Sequence, residues 1–281
     1  MKRICVLGAG IMGSGIFQVA ASAGLEVRMR DVEESILKRG FESIEMSLER
    51  FLKKGKLSKK EVSEILSRIK GFESLEKASK NADFVIEAVP ENIKLKLKVF
   101  SQLDKICPKH VIFATNTSGL SITEIASATK RPERVIGMHF FNPAPIMRLV
   151  EIVRGFKTSD ETFEVTQELS KKFGKETVCV REFPGFVTTR MLAVICNEAA
   201  FMLQEGLASK KDIDKAINLG LNHPMGPLEL SDFVGLDVLL EVLENLYREF
   251  GDSKYRACYL IKKLVRAKRL GVKTGRGFYE Y

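Results

Sequence analysis

Hydrophobic positions in the first two-thirds of the chain fall in short, nearly unbroken runs, separated by longer amphipathic stretches. RICVL, LEVRMRD, ADFVIEAV, HVIFATN and RVIGMHF are apolar and β-branched with few interruptions, the pattern of strands buried on both faces. IMGSGIFQVAASAG, the stretch from Glu33 to about Leu52, a second ending near Arg68, residues 93–106 and SITEIASA repeat apolar positions at helical spacing. Alternation of this kind predicts a parallel, doubly wound α/β sheet. The two helices on either side of KKGKLS read as a helical hairpin inserted into one connection of that sheet. LVEIV reads as another strand, reached through a Pro-Ala-Pro turn. Past the PGF at 184–186 the period changes. TRMLAVICNEAAFMLQEG, KDIDKAINLG, VGLDVLLEVLENLYREF and residues 257–269 are all helical in pattern. The reading is therefore an α/β domain over 1–183 and an all-α domain over 184–281.

Composition narrows the classes of partner. With 281 residues, 45% hydrophobic and 29% charged, the chain has an ordinary globular profile and ample length for a buried core. No apolar run approaches a membrane span, so no membrane partner is expected. MKRICVLGAG is too short in its apolar part for a signal peptide and runs straight into glycines, which places the protein in the cytoplasm. The five cysteines, at 5, 107, 179, 196 and 258, are odd in number and form no CxxC pair. That argues for reduced, mostly buried thiols and against a disulfide framework or a zinc site. A net charge of +9 favours anionic partners, and RFLKKGKLSKK concentrates it locally. Nucleic acid, a membrane surface and a phosphorylated small molecule are all anionic partners of that kind; no nucleic-acid-binding motif accompanies the basic stretch, and a generally basic, solvated surface reads equally well.

The chemistry begins at residues 8–13, GAGIMG, which follow a predicted strand and open a predicted helix. Gly8 allows the tight turn, Gly10 lets a pyrophosphate approach the backbone, and Gly13 permits close helix–strand packing. Asp31 ends the next strand, where a carboxylate accepts hydrogen bonds from the adenosine ribose. It also repels a 2′-phosphate and so favours NAD over NADP, with Arg28 and Arg30 nearby as a small counterweight.

GAGIMGSGI, IEAVPENIKLKLKVF, ATNTSGLSITEIA, GMHFFNPAPIMRLVEIV, PGFV, HPMGPLELSDFVGLD and KTGRGFYEY occur in this order and span essentially the whole chain. Together they closely resemble the L-3-hydroxyacyl-CoA dehydrogenase family, including its bacterial 3-hydroxybutyryl-CoA members. The resemblance implies a Rossmann-type NAD domain, an acyl-CoA substrate, a homodimer, and a monofunctional enzyme without a hydratase domain. It assigns catalysis to His139 and Glu151. An imidazole suits removal of the hydroxyl proton, since its free pKa lies near neutrality, and a carboxylate can fix its tautomer. Ser118, in NTS, is implied to contact both substrate and cofactor, while Ser121 reads as a helix cap. Ile11 and Met12 lie inside the glycine motif. Asn142, Glu91, Lys96 and Lys273 match the family's remaining cofactor contacts, although the three charged ones alone would read as surface residues. Ser47 and Lys54 match its contacts for the coenzyme A moiety, with Arg50, Lys53 and Lys56 adding positive potential. Thr189 stands in PGFVTTR where the family carries an asparagine facing the substrate. Two other readings compete with this one: a same-fold dehydrogenase of a non-CoA hydroxy acid or sugar acid, and a dinucleotide-binding protein without catalysis.

Overall fold

The buried apolar runs form strands, and the amphipathic stretches between them form the helices that cover the sheet. The computed structural model describes all 281 residues and separates into two units, Met1–Glu182 and Phe183–Tyr281. The first unit runs β1 (Arg3–Leu7), α1 (Ile11–Ser22), β2 (Glu26–Arg30), α2 (Glu34–Lys53), α3 (Lys59–Ser67), β3 (Ile69–Phe72) and α4 (Leu75–Ser79). It continues through β4 (Phe84–Glu87), α5 (Ile93–Ile106), β5 (Ile112–Thr115), α6 (Ile122–Ser127), β6 (Val135–Phe140), β7 (Leu149–Arg154), α7 (Asp160–Lys172) and β8 (Glu176–Arg181). The sheet has eight strands in the order β3-β2-β1-β4-β5-β6-β7-β8.

Local chemistry sets the helix ends. Gly24, at φ +81°, closes the turn after α1. Ser58 and Glu61 form a capping box at the start of α3, while Asn92 and Ser121 cap α5 and α6. The α2–α3 hairpin buries Leu37, Ile44, Leu48 and Ile65 in the main core with Phe17, Val27 and Met29.

The strands read from the alternation, β1, β2, β4, β5 and β6, pair in parallel as expected, whereas β7, the strand reached through the Pro-Ala-Pro turn, pairs antiparallel with β6 and parallel with β8. The segment between Phe140 and Leu149 is too short for the crossover that parallel strands need, so the chain turns back. Two strands also lay outside the sequence reading. In β3, IKGF is short and half exposed, and β8 alternates exposed positions at the sheet edge.

The second unit is helical: α8 (Thr188–Gln204), α9 (Lys210–Gly220), α10 (Pro227–Val234), α11 (Leu236–Phe250) and α12 (Tyr259–Arg266). Ala193, Cys196, Leu228, Leu239, Leu243, Tyr255 and Ile261 form its core. Its C-terminal residues are held by Asp232, whose carboxylate accepts the backbone N–H groups of Phe278 and Tyr279 at 2.9 and 2.8 Å. No helix in the chain is long and apolar enough to cross a membrane.

Candidate active site

The predicted residues in the loops after β1, β2, β4 and β5 and at the end of β6 lie at the carboxyl edge of the parallel strands, where ligands bind in doubly wound folds. Gly8 has φ +95°, and a Cβ there would sit 2.4 Å from the Ala88 carbonyl oxygen. A Cβ at Gly13 would lie 1.7 Å from the Gly8 oxygen, so helix and turn touch only because residue 13 is glycine. At Gly10 nothing lies within 4 Å. The backbone there is open to a ligand, as a pyrophosphate requires. Ile11 beside it is 78% exposed, and Met12 is half-buried.

Asp31 closes the cradle. Its Oδ2 accepts the Ala9 N–H and its Oδ1 the Val32 N–H, both at 2.7 Å. Each oxygen keeps a lone pair for a sugar hydroxyl. The arginines that tempered the NAD preference are engaged elsewhere. Arg28 Nη1 donates to the Lys77 carbonyl at 3.2 Å, and its guanidinium stacks 5.7 Å from the Phe72 centroid. Arg30 Nε donates to the Glu73 carbonyl at 3.1 Å. A lower KM for NADH than for NADPH is therefore expected, with the gap narrowing in Asp31→Ala. Steady-state kinetics with both cofactors check this, and equal KM values in the wild type refute it.

His139 and Glu151 are register partners on β6 and β7, so their side chains leave the same face of the sheet as direct cross-strand neighbours. His139 Nδ1 lies 2.8 Å from Glu151 Oε2, and the two residues are 5% and 0% exposed. A carboxylate only accepts, so Nδ1 carries the proton and Nε2 is the basic nitrogen. The Phe141 ring packs at 4.5 Å, tilted 48°, against the imidazole.

The Ser118 loop, after β5, is tied to this pair. Asn116 Oδ1 accepts the Phe140 N–H at 2.9 Å, and Ser118 N–H donates to Glu91 Oε1 at 2.9 Å. Ser118 itself is exposed, and Ser121 caps α6 as read from the sequence. Thr117 Oγ1 also donates to Glu91.

Lys96, which taken alone would read as a surface charge, is buried. It is 1% exposed, with Nζ 2.6 Å from Glu87 Oε1, 3.3 Å from Glu91 Oε2 and 3.3 Å from the Val89 carbonyl. Glu87, absent from the sequence reading, is the hub of this network. It also accepts Thr115 Oγ1 at 2.6 Å and the Val89 N–H at 2.8 Å. Burial pushes its carboxyl above the ordinary range, opposed by the Lys96 ammonium and these donors. The signal was present in the sequence: an acid inside FVIE, the same pattern that singled out Glu151 inside LVEIV.

Ser47 and Arg50 line a cleft of about 240 Å³ with Gln18 of α1 and residues 142–145 of the turn after β6. Lys54 caps α2, and Ser47, Arg50 and Lys54 are spaced i, i+3, i+7, along one helix face. Asn142 is exposed at the start of that turn. Two predicted residues belong to the second unit. Thr189 is half-buried in the first turn of α8. Lys273 pairs with Asp237 at 2.5 Å. A larger cleft, of about 440 Å³ between α9 and the C-terminal residues, holds no predicted residue. No three His, Cys, Asp or Glu side chains gather as a metal site would require.

A dinucleotide cradle and a buried His–Glu pair on one sheet edge define a nicotinamide-dependent dehydrogenase. Comparison with known proteins makes this specific. Residues 3–183 match the 3-hydroxyacyl-CoA dehydrogenase NAD binding domain, and residues 185–281 match the 3-hydroxyacyl-CoA dehydrogenase C-terminal domain. The chain belongs to the 3-hydroxyacyl-CoA dehydrogenase family, and its cofactor is NAD. It is 51% identical over 281 residues to a probable 3-hydroxybutyryl-CoA dehydrogenase of Bacillus subtilis, covering 100% of this chain and 98% of that one. It is 48% identical over 279 residues to the 3-hydroxybutyryl-CoA dehydrogenase of Clostridioides difficile, covering 99% of each. Among solved structures, the (S)-3-hydroxybutyryl-CoA dehydrogenase of Ralstonia eutropha superposes with a TM-score of 0.97 at 47% identity, covering 100% of this chain and 99% of that one.

Proposed function

We propose that the protein oxidises L-3-hydroxyacyl-CoA to 3-ketoacyl-CoA with NAD, and catalyses the reverse with NADH, on short chains such as 3-hydroxybutyryl-CoA and acetoacetyl-CoA. The observation that carries this reading is the buried His139–Glu151 pair at the edge that holds the glycine cradle. The glycine cradle and Asp31 would hold NAD, which would supply the hydride acceptor for C3. His139 Nε2 takes the hydroxyl proton, and Glu151 holds the tautomer and stabilises the imidazolium that forms. The Ser118 hydroxyl donates to the C3 oxygen. Glu91, held by Lys96, Thr117 and Ser118, stands with Asn142 on the cofactor side. Lys273 and Thr189, of the second unit, match the family's remaining cofactor and substrate contacts.

Ser47, Arg50 and Lys54 take the phosphates of coenzyme A. The names of the relatives support the short-chain assignment. The five cysteines are unpaired and four are buried, which supports a cytoplasmic protein. Leu219 and Leu221, 76% and 63% exposed at the end of α9, supply apolar surface for a homodimer. Light scattering at the mass of a single chain would remove the dimer from this reading.

The test is NADH oxidation with acetoacetyl-CoA, longer 3-ketoacyl-CoA thioesters and free acetoacetate. Turnover is expected to be highest with acetoacetyl-CoA and negligible with the free acid. Lys54→Glu should raise the KM for the thioester about three- to ten-fold, with the effect shrinking at high salt. Faster turnover of the free acid would favour the non-CoA reading, and NADH binding without turnover would favour the non-catalytic one.

A further inference from the structure

Lys175 follows Gly174 (φ +70°) in the turn between α7 and β8. From the sequence alone it is one more lysine in a basic chain. In the structure it is 8% exposed, and its ammonium turns inward. Nζ donates to the carbonyl oxygens of Ala144 and Met147, at 2.6 and 2.7 Å. Burial alone holds the ammonium below the usual lysine range. A buried cation satisfied by carbonyls rather than by a carboxylate is unfavourable unless it does something the fold needs.

What it holds is the turn joining the two catalytic strands. That turn contains Pro143 and Pro145, which have no N–H to donate. Within it, the Ile146 and Met147 N–H groups both donate to the Pro143 oxygen, at 2.9 and 3.0 Å. The carbonyls of Ala144 and Met147 receive Lys175. On its other side the turn meets α1. A Cβ added at Gly15 would lie 3.0 Å from the Ala144 Cβ and 3.3 Å from the Pro145 Cδ. The turn is thus clamped between the Lys175 ammonium and the helix that opens at the glycine cradle. It carries Asn142, and its residues 142–145 form one wall of the cleft that Ser47 and Arg50 line.

We propose that Lys175 is a positioning residue, fixing Asn142 and the cleft wall through its two carbonyl bonds. The catalytic pair does not depend on it, because His139 and Glu151 are held by the ladder between β6 and β7. Loss of Lys175 should therefore weaken ligand binding and spare the proton transfer.

The experiment compares Lys175→Met and Lys175→Gln with the wild type. NADH binding is followed by fluorescence titration, and turnover by steady-state reduction of acetoacetyl-CoA. In Lys175→Met, the Kd for NADH and the KM for acetoacetyl-CoA are expected to rise about three- to twenty-fold, with kcat at saturation within about three-fold of wild type. Lys175→Gln, which retains N–H donors, should recover part of both. Should Lys175→Met fail to fold, Lys175→Gln alone carries the comparison. Unchanged Kd and KM overturn the proposal, and so does a kcat that falls as far as the binding terms. The kinetic arm rests on the dehydrogenase reading, but the NADH titration does not. Wild-type protein that binds NADH without reducing acetoacetyl-CoA would defeat that reading and leave the Lys175 comparison intact.

Discussion

His139→Gln is expected to lower kcat for acetoacetyl-CoA reduction by a factor on the order of a hundred to ten thousand, the usual contribution of a positioned acid–base group. The Kd for NADH should stay within about two-fold, because the glycine cradle and Asp31 lie on β1, α1 and the end of β2. Glutamine keeps a polar side chain of similar reach but cannot exchange a proton near neutrality. Glu151→Gln is the informative companion. Its amide can donate to Nδ1 and would stabilise the wrong tautomer, so a large fall in kcat is expected there as well. Because the two residues act as a unit, the double variant should be barely worse than His139→Gln. Single-turnover and steady-state measurements distinguish these cases. Near-wild-type turnover in His139→Gln would remove it from proton transfer.

How much of this site could be read from the sequence depended on whether local pattern or tertiary placement determined each residue. The glycine cradle and Asp31 were legible because a strand–turn–helix unit fixes their geometry within a few residues. His139 and Glu151 were legible as types. Their pairing follows from a connection too short for anything but a reversal. Helix 93–106 was read at its observed bounds because its apolar face is strongly periodic. The strand IKGF was not read, since it has four residues and two of them are exposed. The burial of Lys96 is not legible, because a lysine in ENIKLK carries no mark of it. The carboxylate that draws it inside sits on another element, nine positions earlier. Lys175 had no local signal, since its acceptors lie 28 and 31 residues away.

The largest loss of stability is expected at Glu87. In Glu87→Ala the Lys96 ammonium, 1% exposed, loses its shortest contact, and Thr115 Oγ1 and the Val89 N–H lose their acceptor. Breaking one side of a buried ion pair typically costs about 3–5 kcal/mol. In a unit of this size each kcal/mol shifts the melting temperature by about 2–4 °C. The expected fall is thus about 6–20 °C by calorimetry, and a fall of under about 3 °C would contradict the description of Glu87 as a hub. Replacing both partners, as Glu87→Met with Lys96→Met, separates two roles the pair could have. An apolar pair leaves no uncompensated charge, so much of the thermal stability should return. Glu91, however, would no longer be held by Lys96. The affinity for NADH should therefore stay below wild type while the melting temperature recovers. If affinity and stability recover together, the ion pair serves the fold alone and Glu91 needs no support from it.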